Sequence, residues 1–279
     1  MTDYIDYHNK PKSLQFAIRF VINISNFLPD KIFTIFWNTS LFIIGNTVRI
    51  NPTKNKSFLI QDKDNNLEIL YKKRFEFYLQ NINKRLDHLS NEYFLKNIEF
   101  EDKDIVIDCG ANIGELNLAI KNQINNKFDF YYYGFEPAKR EFAVLSRNTL
   151  NLVKEPLALS SKVEKRKFFI RGEMADSSFE DRNSKNFEWI NCTTLDTYFL
   201  TSSSIKLLKL EAEGYENEVL IGAQNILNKI EYIPADLGFE LENNTKSSFK
   251  EVNDFLLENN FEMIFKNPRL TYLYKNKSY

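Results

Sequence analysis

The sequence has few of the residues that build metal sites or disulfide frameworks. Only two of its 279 residues are cysteines and two are histidines. Cys109 and Cys192 are too few for a disulfide framework, and free thiols are typical of a reducing compartment, so we expect a cytoplasmic protein. His8 and His88 lie far from either cysteine, so no zinc-ligand spacing can be assembled. We assign no metal ligands, although carboxylates that hold Mg²⁺ would leave no distinctive spacing.

The sequence also lacks an excess of charge and a long hydrophobic run. It carries 37 Lys and Arg against 38 Asp and Glu, so its overall charge does not attract nucleic acid, which is not an expected partner. The apolar stretch at residues 14–28 is interrupted by polar side chains and is too polar for a transmembrane segment of ~20 residues. Its helical spacing predicts an amphipathic helix that packs on its own domain, on a membrane surface or in a homodimer.

The predicted secondary structure changes character near residue 90. Residues 1–90 read as an N-terminal extension with a helix to Trp37, short strands at 41–44 and 58–60, and a helix at 76–89. In residues 91–279 strands and helices alternate, which predicts a doubly wound α/β sheet. The predicted strands are 105–107, 131–135, 156–159, 205–210 and 232–239, with a strand-like segment at 166–171 and a final hairpin of 261–265 and 269–274. The predicted helices are 115–122, 138–148, 217–228 and 247–259.

The exit of the first of these strands contains two glycines and two acids. It reads Asp108-Cys109-Gly110-Ala111-Asn112-Ile113-Gly114-Glu115. Ligands of open α/β sheets bind beyond the carboxyl ends of the strands, where glycines permit a sharp turn and close approach. Asp108 and Glu115 would each oppose a pyrophosphate by roughly 4 kcal/mol per close pair. S-adenosylmethionine has no phosphate and carries a net positive charge, so we expect this cofactor instead of a dinucleotide.

A third acid follows the second strand of the predicted sheet. Glu136 stands 28 residues after Asp108, at the position where a carboxylate can accept two hydrogen bonds from a ribose diol. Glu136 and Asp108 together predict a nucleoside site more specifically than the glycine pair does alone.

These motifs resemble those of FkbM-type methyltransferases. The resemblance covers about residues 90–275 and rests on Val106–Glu115, Phe135-Glu136-Pro137, Thr194-Leu195-Asp196, Leu208–Glu216, Glu218–Leu220 and Gly222-Ala223. It implies a Rossmann-like class I methyltransferase fold, with a seven-stranded, mostly parallel sheet whose last strand is antiparallel. It also implies methyl transfer from S-adenosylmethionine, usually to oxygen.

The resemblance also implies roles for single residues. It assigns the cofactor to Asp108, Gly110, Ala111, Asn112, Gly114, Glu136, Pro137 and Ala158, of which Glu136 binds the ribose and Ala158 lies beside the adenine. This chain departs from the family at Glu211-Ala212, where many members have Asp and a small hydrophobic residue, and at Tyr215, where many have Ala. A longer acid and a bulky aromatic change the pocket, so the family's acceptors do not transfer to this chain.

Carboxylates after the fourth and fifth strands are the candidate catalytic groups. In an extended strand exit, Glu211 and Glu213 would share one face, and each would raise the pKa of the other toward neutrality. Such a carboxylate can take the proton of an acceptor hydroxyl. Glu240, beyond the fifth strand, is a second candidate, and Lys209 or water is an alternative. Glu213 and Glu216 have a second interpretation, as caps or ion-pair partners of the next helix, and Asp196 is expected to cap a helix.

Three functions follow from these interpretations. The leading hypothesis is S-adenosylmethionine-dependent O-methyl transfer to a saccharide or other small acceptor. The alternatives are a nicotinamide-dependent oxidoreductase and a non-catalytic cofactor-binding module that recruits partners through the N-terminal hundred residues. The acceptor is left open, because loops such as 172–186 shape its pocket and composition does not reveal their form.

Overall fold

The computed structural model describes residues 20–63, 65–169, 187–241 and 246–279. The chain divides into two compact units, Met1–His88 and Leu89–Tyr279. Of the predicted helix at 14–28, residues 20–25 are helical and residues 14–19 lie outside the described part. The predicted pocket loop at 172–186 also lies outside it. No helix among the described residues has the length and apolar character needed to cross a membrane.

The N-terminal unit combines helices with a small antiparallel sheet. Its elements are helix α1 (Asp30–Ile43), strands β1 (Arg49–Pro52), β2 (Phe58–Asp62) and β3 (Asn65–Ile69), a 3₁₀ helix (Lys72–Tyr78) and the start of helix α2 (Ile82–Glu92). The predicted strand at 41–44 is wrong, because Phe33, Trp37 and Leu41 form one buried stripe at helical spacing that carries α1 through to Ile43. The predicted strand at 58–60 is confirmed as part of β2.

The C-terminal unit is built on strands that agree closely with the predicted ones. The strands are β4 (Ile105–Cys109), β5 (Tyr131–Phe135), β6 (Leu157–Leu159), β7 (Glu164–Phe169), β8 (Phe187–Thr193), β9 (Ile205–Leu210), β10 (Ile230–Asp236), β11 (Phe239–Leu241), β12 (Lys246–Ser247), β13 (Phe261–Lys266) and β14 (Thr271–Asn276). Almost every residue of β4 and β9 is buried, as is typical of strands that are covered on both faces of a sheet. Strands β8 and β12 were not predicted, and β10 and β11 were predicted as the single strand 232–239.

The main sheet has the order β13-β14-β10-β9-β4-β5. Strand β4 pairs in parallel with β5 and β9, and β9 pairs in parallel with β10. The last strand, β14, is antiparallel to both β10 and β13, which confirms the predicted closing hairpin. Because Cys109 lies opposite both Phe135 and Leu210, the carboxyl ends of the three central strands meet at one edge.

The expectation of seven strands in this sheet is wrong for the described residues, which contribute six. Strand β6, which corresponds to the predicted strand at 156–159, instead joins β8 and β7 in a separate three-stranded sheet. The edge of β5 that faces away from β4 forms hydrogen bonds with Asn151 and Leu152. The side-chain amide of Asn151 bonds to both the N–H and the carbonyl of Gly134, at 2.8 Å each, and the Leu152 N–H donates to Tyr132 O. These bonds use the backbone groups of Tyr132 and Gly134 with which β6 would otherwise pair.

The helices of this unit follow the strands. They are α3 (Glu115–Gln123), α4 (Lys139–Asn148), α5 (Leu195–Phe199), α6 (Glu216–Ile221) and α7 (Phe249–Glu258). Helix α6 is shorter than the predicted helix at 217–228. It ends where Gly222 approaches the Ser160 carbonyl so closely that an added Cβ would lie 2.1 Å from that oxygen. Thr194, and not Asp196, caps α5, and Asp196 instead accepts hydrogen bonds from Asn225.

Candidate active site

The turn after β4 brings the predicted cofactor loop to the sheet edge. Gly110 and Gly114 adopt left-handed φ angles of +71° and +87°, and Asn112 has φ 49°. A Cβ on Gly110 would lie 2.3 Å from the backbone oxygen of Glu211, and one on Gly114 would lie 2.5 Å from Thr149 Cγ2. Both glycines are therefore required by the turn and by contacts within the chain. Close approach of a ligand, which sequence analysis assumed, is not needed to explain them.

Glu136 links this turn to the start of α4. Its carboxylate accepts the backbone N–H of Asn112 at 2.9 Å and that of Ala138 at 2.8 Å, and the residue is 7% exposed. Burial raises its pKa to about 8, with a further contribution from Glu141 and opposition from the two N–H groups. Each carboxylate oxygen has a second lone pair, so both can accept another donor.

Asp108 lies beneath the turn and is almost fully buried. Tyr132 Oη donates to Asp108 Oδ2 at 2.6 Å, and Lys209 Nζ lies 3.3 Å from Oδ1. Burial raises the pKa of this carboxyl, while Lys209 and Tyr132 act in the opposite direction. The negative charge of Asp108, which sequence analysis offered to a ligand, is therefore balanced within the protein.

Lys209 is the more deeply buried of the two lysines of β9. Its Nζ lies 2.6 Å from Glu211 Oε2 and donates to the carbonyls of Cys109 and Gly110 at 3.0 and 2.9 Å. Burial alone would lower its pKa, but Glu211 and Asp108 outweigh burial and raise it. Lys209 thus keeps its proton, which excludes the alternative that it is the base. A lysine within the run Ile205–Leu210 was the sequence signal for this role.

Glu211 is held from two sides. Besides Lys209, Tyr93 donates its hydroxyl to Glu211 Oε2 at 2.9 Å. Burial would raise the pKa of Glu211, but Lys209 outweighs it and the pKa is lowered. The expectation that Glu211 is shifted toward neutrality is therefore wrong.

The loop after Glu211 is not extended. Glu213 has φ 52° and Gly214 φ 97°, so the chain turns there and strand-like alternation does not place Glu213 on the face of Glu211. Glu216 is fully buried and accepts the backbone N–H groups of Ala212 and Gly214 at 2.8 and 3.1 Å. Glu216 therefore stabilises the loop that precedes α6, whereas no side chain caps the start of that helix.

Asp236, which ends β10, has the properties that were expected of Glu211. It is 7% exposed, and within the described part of the chain it accepts no hydrogen bond. Burial, then Glu211 and Glu92, raise its pKa to about 7, and Arg269 partly opposes them. The signal in the sequence was an acid that directly follows an apolar strand. Glu240 lies in β11, and its side chain is outside the described residues.

The remaining predicted residues border this edge. Ala111 is buried and Pro137 is half-buried. Ala158, in β6, packs in a buried cluster with Ala138, two residues after Glu136, so the structure brings the predicted adenine neighbour close to the predicted ribose ligand. Among the described residues, no three His, Cys, Asp or Glu side chains are arranged to hold a metal ion.

The side chain of Tyr215, a position where the resemblance to the family breaks down, is held in place by its neighbours. The guanidinium carbon of Arg166 lies 5.0 Å from the centre of the Tyr215 ring. Arg166 is itself fixed by an ion pair of 2.7 Å with Glu218. The aromatic ring is therefore part of a built contact between β7 and the start of α6.

Comparisons with known proteins identify a family model that matches this chain and two solved structures that are similar to it. Residues 108–263, more than half of the chain, match the family described as the methyltransferase FkbM domain. The structure of methyltransferase FkbM from Methylobacillus flagellatus KT has a TM-score of 0.48 and 17% identity, covering 73% of this chain and 52% of that one. This chain thus spans about half the length of that relative. The O-methyltransferase NovP has a TM-score of 0.34 and 12% identity, covering 71% and 81%. No curated protein is significantly similar.

Proposed function

This chain belongs to the FkbM methyltransferase family, and we propose that it transfers a methyl group from S-adenosylmethionine to a hydroxyl oxygen of a saccharide or other small acceptor. The observation that carries the cofactor assignment is Glu136. Two backbone N–H groups fix its buried carboxylate at the carboxyl end of β5. Its two unused lone pairs are the acceptors that the two hydroxyls of a ribose require.

The charges near Glu136 support a cationic nucleoside over a dinucleotide. Lys209 is the buried cation at this edge, and its contacts with Asp108, Glu211 and two backbone carbonyls leave it no proton for a pyrophosphate. Arg269 is paired with Glu92 at 2.8 Å. Among the described residues, a pyrophosphate would meet acids whose neighbouring cations, Lys209 and Arg269, are already paired, whereas a sulfonium and an ammonium would not be repelled by those acids. S-adenosylmethionine would be held by Glu136 and the Asp108–Gly114 turn, and it would supply a methyl group on a positively charged sulfur.

The acceptor proton is the part of the reaction that the chain's own residues must handle. We assign the role of the base that takes this proton to Asp236. Its buried carboxylate has no hydrogen-bond partner in the described residues and ionises near neutral pH. Glu211, fixed as an anion by Lys209 and Tyr93, keeps the proton affinity of Asp236 high. Glu213 and Glu240 stay predictions as alternative bases.

Isothermal titration calorimetry tests the cofactor assignment. We expect S-adenosylmethionine and its demethylated product to bind the wild-type protein, and Glu136→Gln to weaken both by about ten- to a hundredfold, because an amide nitrogen, which only donates, replaces one of the two oxygens that accept from the ribose hydroxyls. Glu155→Gln, an exposed acid of the same unit, is the control and should not change affinity. Binding of NAD without binding of either S-adenosyl compound would overturn the proposal in favour of an oxidoreductase.

A further inference from the structure

The N-terminal unit exposes a continuous apolar surface on α1. Six large side chains form it, and we call them the apolar face: Ile32, Ile35, Phe36, Phe42, Ile43 and Ile44. Four of the six are more than two thirds exposed, with values of 67%, 71%, 75% and 73% for Ile35, Phe42, Ile43 and Ile44. Soluble domains rarely expose a contiguous apolar patch of this kind without a partner.

Helix α1 is apolar on two opposite sides. One side is buried in the unit through Phe33, Trp37 and Leu41. At 100° per residue, the members of the apolar face that belong to α1 fall on the other side of the helix. No charged residue occurs from Ile32 to Val48. A helix that exposes a second apolar side of this size indicates a contact with a partner or a membrane.

Helix α1 is too short to cross the interior of a bilayer. Helix α1 has 14 residues, a length of about 21 Å, whereas the hydrocarbon core of a bilayer is ~30 Å thick. A helix of this length with one exposed apolar side lies in the plane of an interface.

The charge of the unit indicates which interface. Residues 1–88 carry 13 Lys and Arg against eight Asp and Glu, a net charge of +5, whereas residues 89–279 carry 24 against 30, a net charge of −6. Lys31 is exposed beside Ile32, and the guanidinium carbon of Arg49 lies 5.9 Å from the centre of the Phe42 ring. Asp30, the acid of α1, is neutralised by Lys72 at 2.7 Å. Cations therefore border the apolar face.

We propose that the apolar face binds the surface of a bilayer containing anionic lipids, with α1 parallel to the membrane plane. The apolar side chains enter the boundary between headgroups and acyl chains, and the net positive charge of the unit is attracted to the lipid phosphates. A second copy of the chain is a less suitable occupant, because face-to-face docking would bring together two units of net charge +5.

Co-sedimentation of the full-length protein with lipid vesicles tests this proposal. We expect binding to vesicles of mixed phosphatidylcholine and phosphatidylglycerol, weaker binding to pure phosphatidylcholine, and loss of the difference at high salt. The double variant Phe42→Ser, Ile43→Ser should lower the partition coefficient by roughly tenfold or more. The matched control is Leu150→Ser, Val163→Ser, two side chains of the other unit that are 85% and 70% exposed; it should bind as the wild type does.

Two outcomes would overturn the proposal. One is equal sedimentation of wild type and Phe42→Ser, Ile43→Ser with anionic vesicles, or no sedimentation of either. The other is a wild-type dimer by light scattering that the same variant converts to a monomer, which would make the apolar face an interface between copies. Circular dichroism confirms that the variant is folded, and its affinity for S-adenosylmethionine, which the proposal leaves unchanged, separates this test from that of the proposed function.

Discussion

A buried aspartate in the N-terminal unit and one in the C-terminal unit differ in their hydrogen bonds. In the N-terminal unit the buried acid Asp62 accepts hydrogen bonds from the Thr47 hydroxyl at 2.6 Å and the Ile82 N–H at 3.3 Å. In the C-terminal unit the equally buried Asp236 accepts none within the described residues. A satisfied buried charge stabilises a fold, whereas an unsatisfied one costs stability and is kept where a function uses it. Asp62 is therefore a structural acid, whereas Asp236 is the candidate proton acceptor.

The largest expected effect is on methyl transfer. Asp236→Asn should lower the rate about a hundred- to ten-thousandfold, because the proton acceptor is removed, while S-adenosylmethionine binding is retained. The measurement is transfer of labelled methyl to a panel of hydroxylated saccharides, together with calorimetry of cofactor binding. Asp62→Asn should leave the transfer rate unchanged and lower stability instead. Undiminished transfer by Asp236→Asn would return the role to Glu213 or Glu240.

The next largest effect is the loss of stability when the cation that pairs with two buried acids is removed. Lys209→Met leaves Asp108 and Glu211 buried without their cation, so the free energy of unfolding should fall by about 3–5 kcal/mol. Lys206→Met is the matched control in the same strand. Lys206 pairs with Glu231 at 2.8 Å but is more exposed, and its loss should cost at most about 1 kcal/mol. Urea denaturation distinguishes the two, and equal losses would contradict the special role of Lys209.

The pH dependence of stability is expected to run opposite to the usual behaviour of acids. Asp236 ionises near pH 7 in the folded protein and near its ordinary value of 3.8 when unfolded. Between these values the folded state binds more protons, so stability falls as the pH rises toward about 7. Asp236→Asn should flatten this slope. Glu136, with a pKa of about 8, leaves a residual slope in the same direction.

The smallest effect is expected for Tyr93→Phe. It removes the hydroxyl that donates to Glu211 at 2.9 Å but keeps the ring beneath Lys209. The free energy of unfolding should fall by about 1 kcal/mol. If Glu211 sets the proton affinity of Asp236, the pH profile of methyl transfer should also shift, whereas a purely structural role would leave that profile in place.

Local sequence was sufficient for elements whose pattern is set by neighbouring residues. The apolar runs at β4 and β9 and the segment of β5 were predicted with nearly the observed bounds. The turn after β4 and the acid at Glu136 were also found, because glycines and acids after a strand are local signals. The strand predicted at 41–44 failed because Leu41 completes a helical stripe with distant core residues.

What the sequence by itself determined is the order of strands and helices, the position of the cofactor turn and the family resemblance. Only the tertiary structure decided that Asn151 bonds to the edge of β5, that Lys209 balances Asp108 and Glu211, and that Asp236 accepts no hydrogen bond from the described residues. The physical reason is that burial and pairing of charge depend on groups that lie close in space but far apart in the chain. A periodic pattern encodes which residues are buried, but it does not encode which buried charges meet.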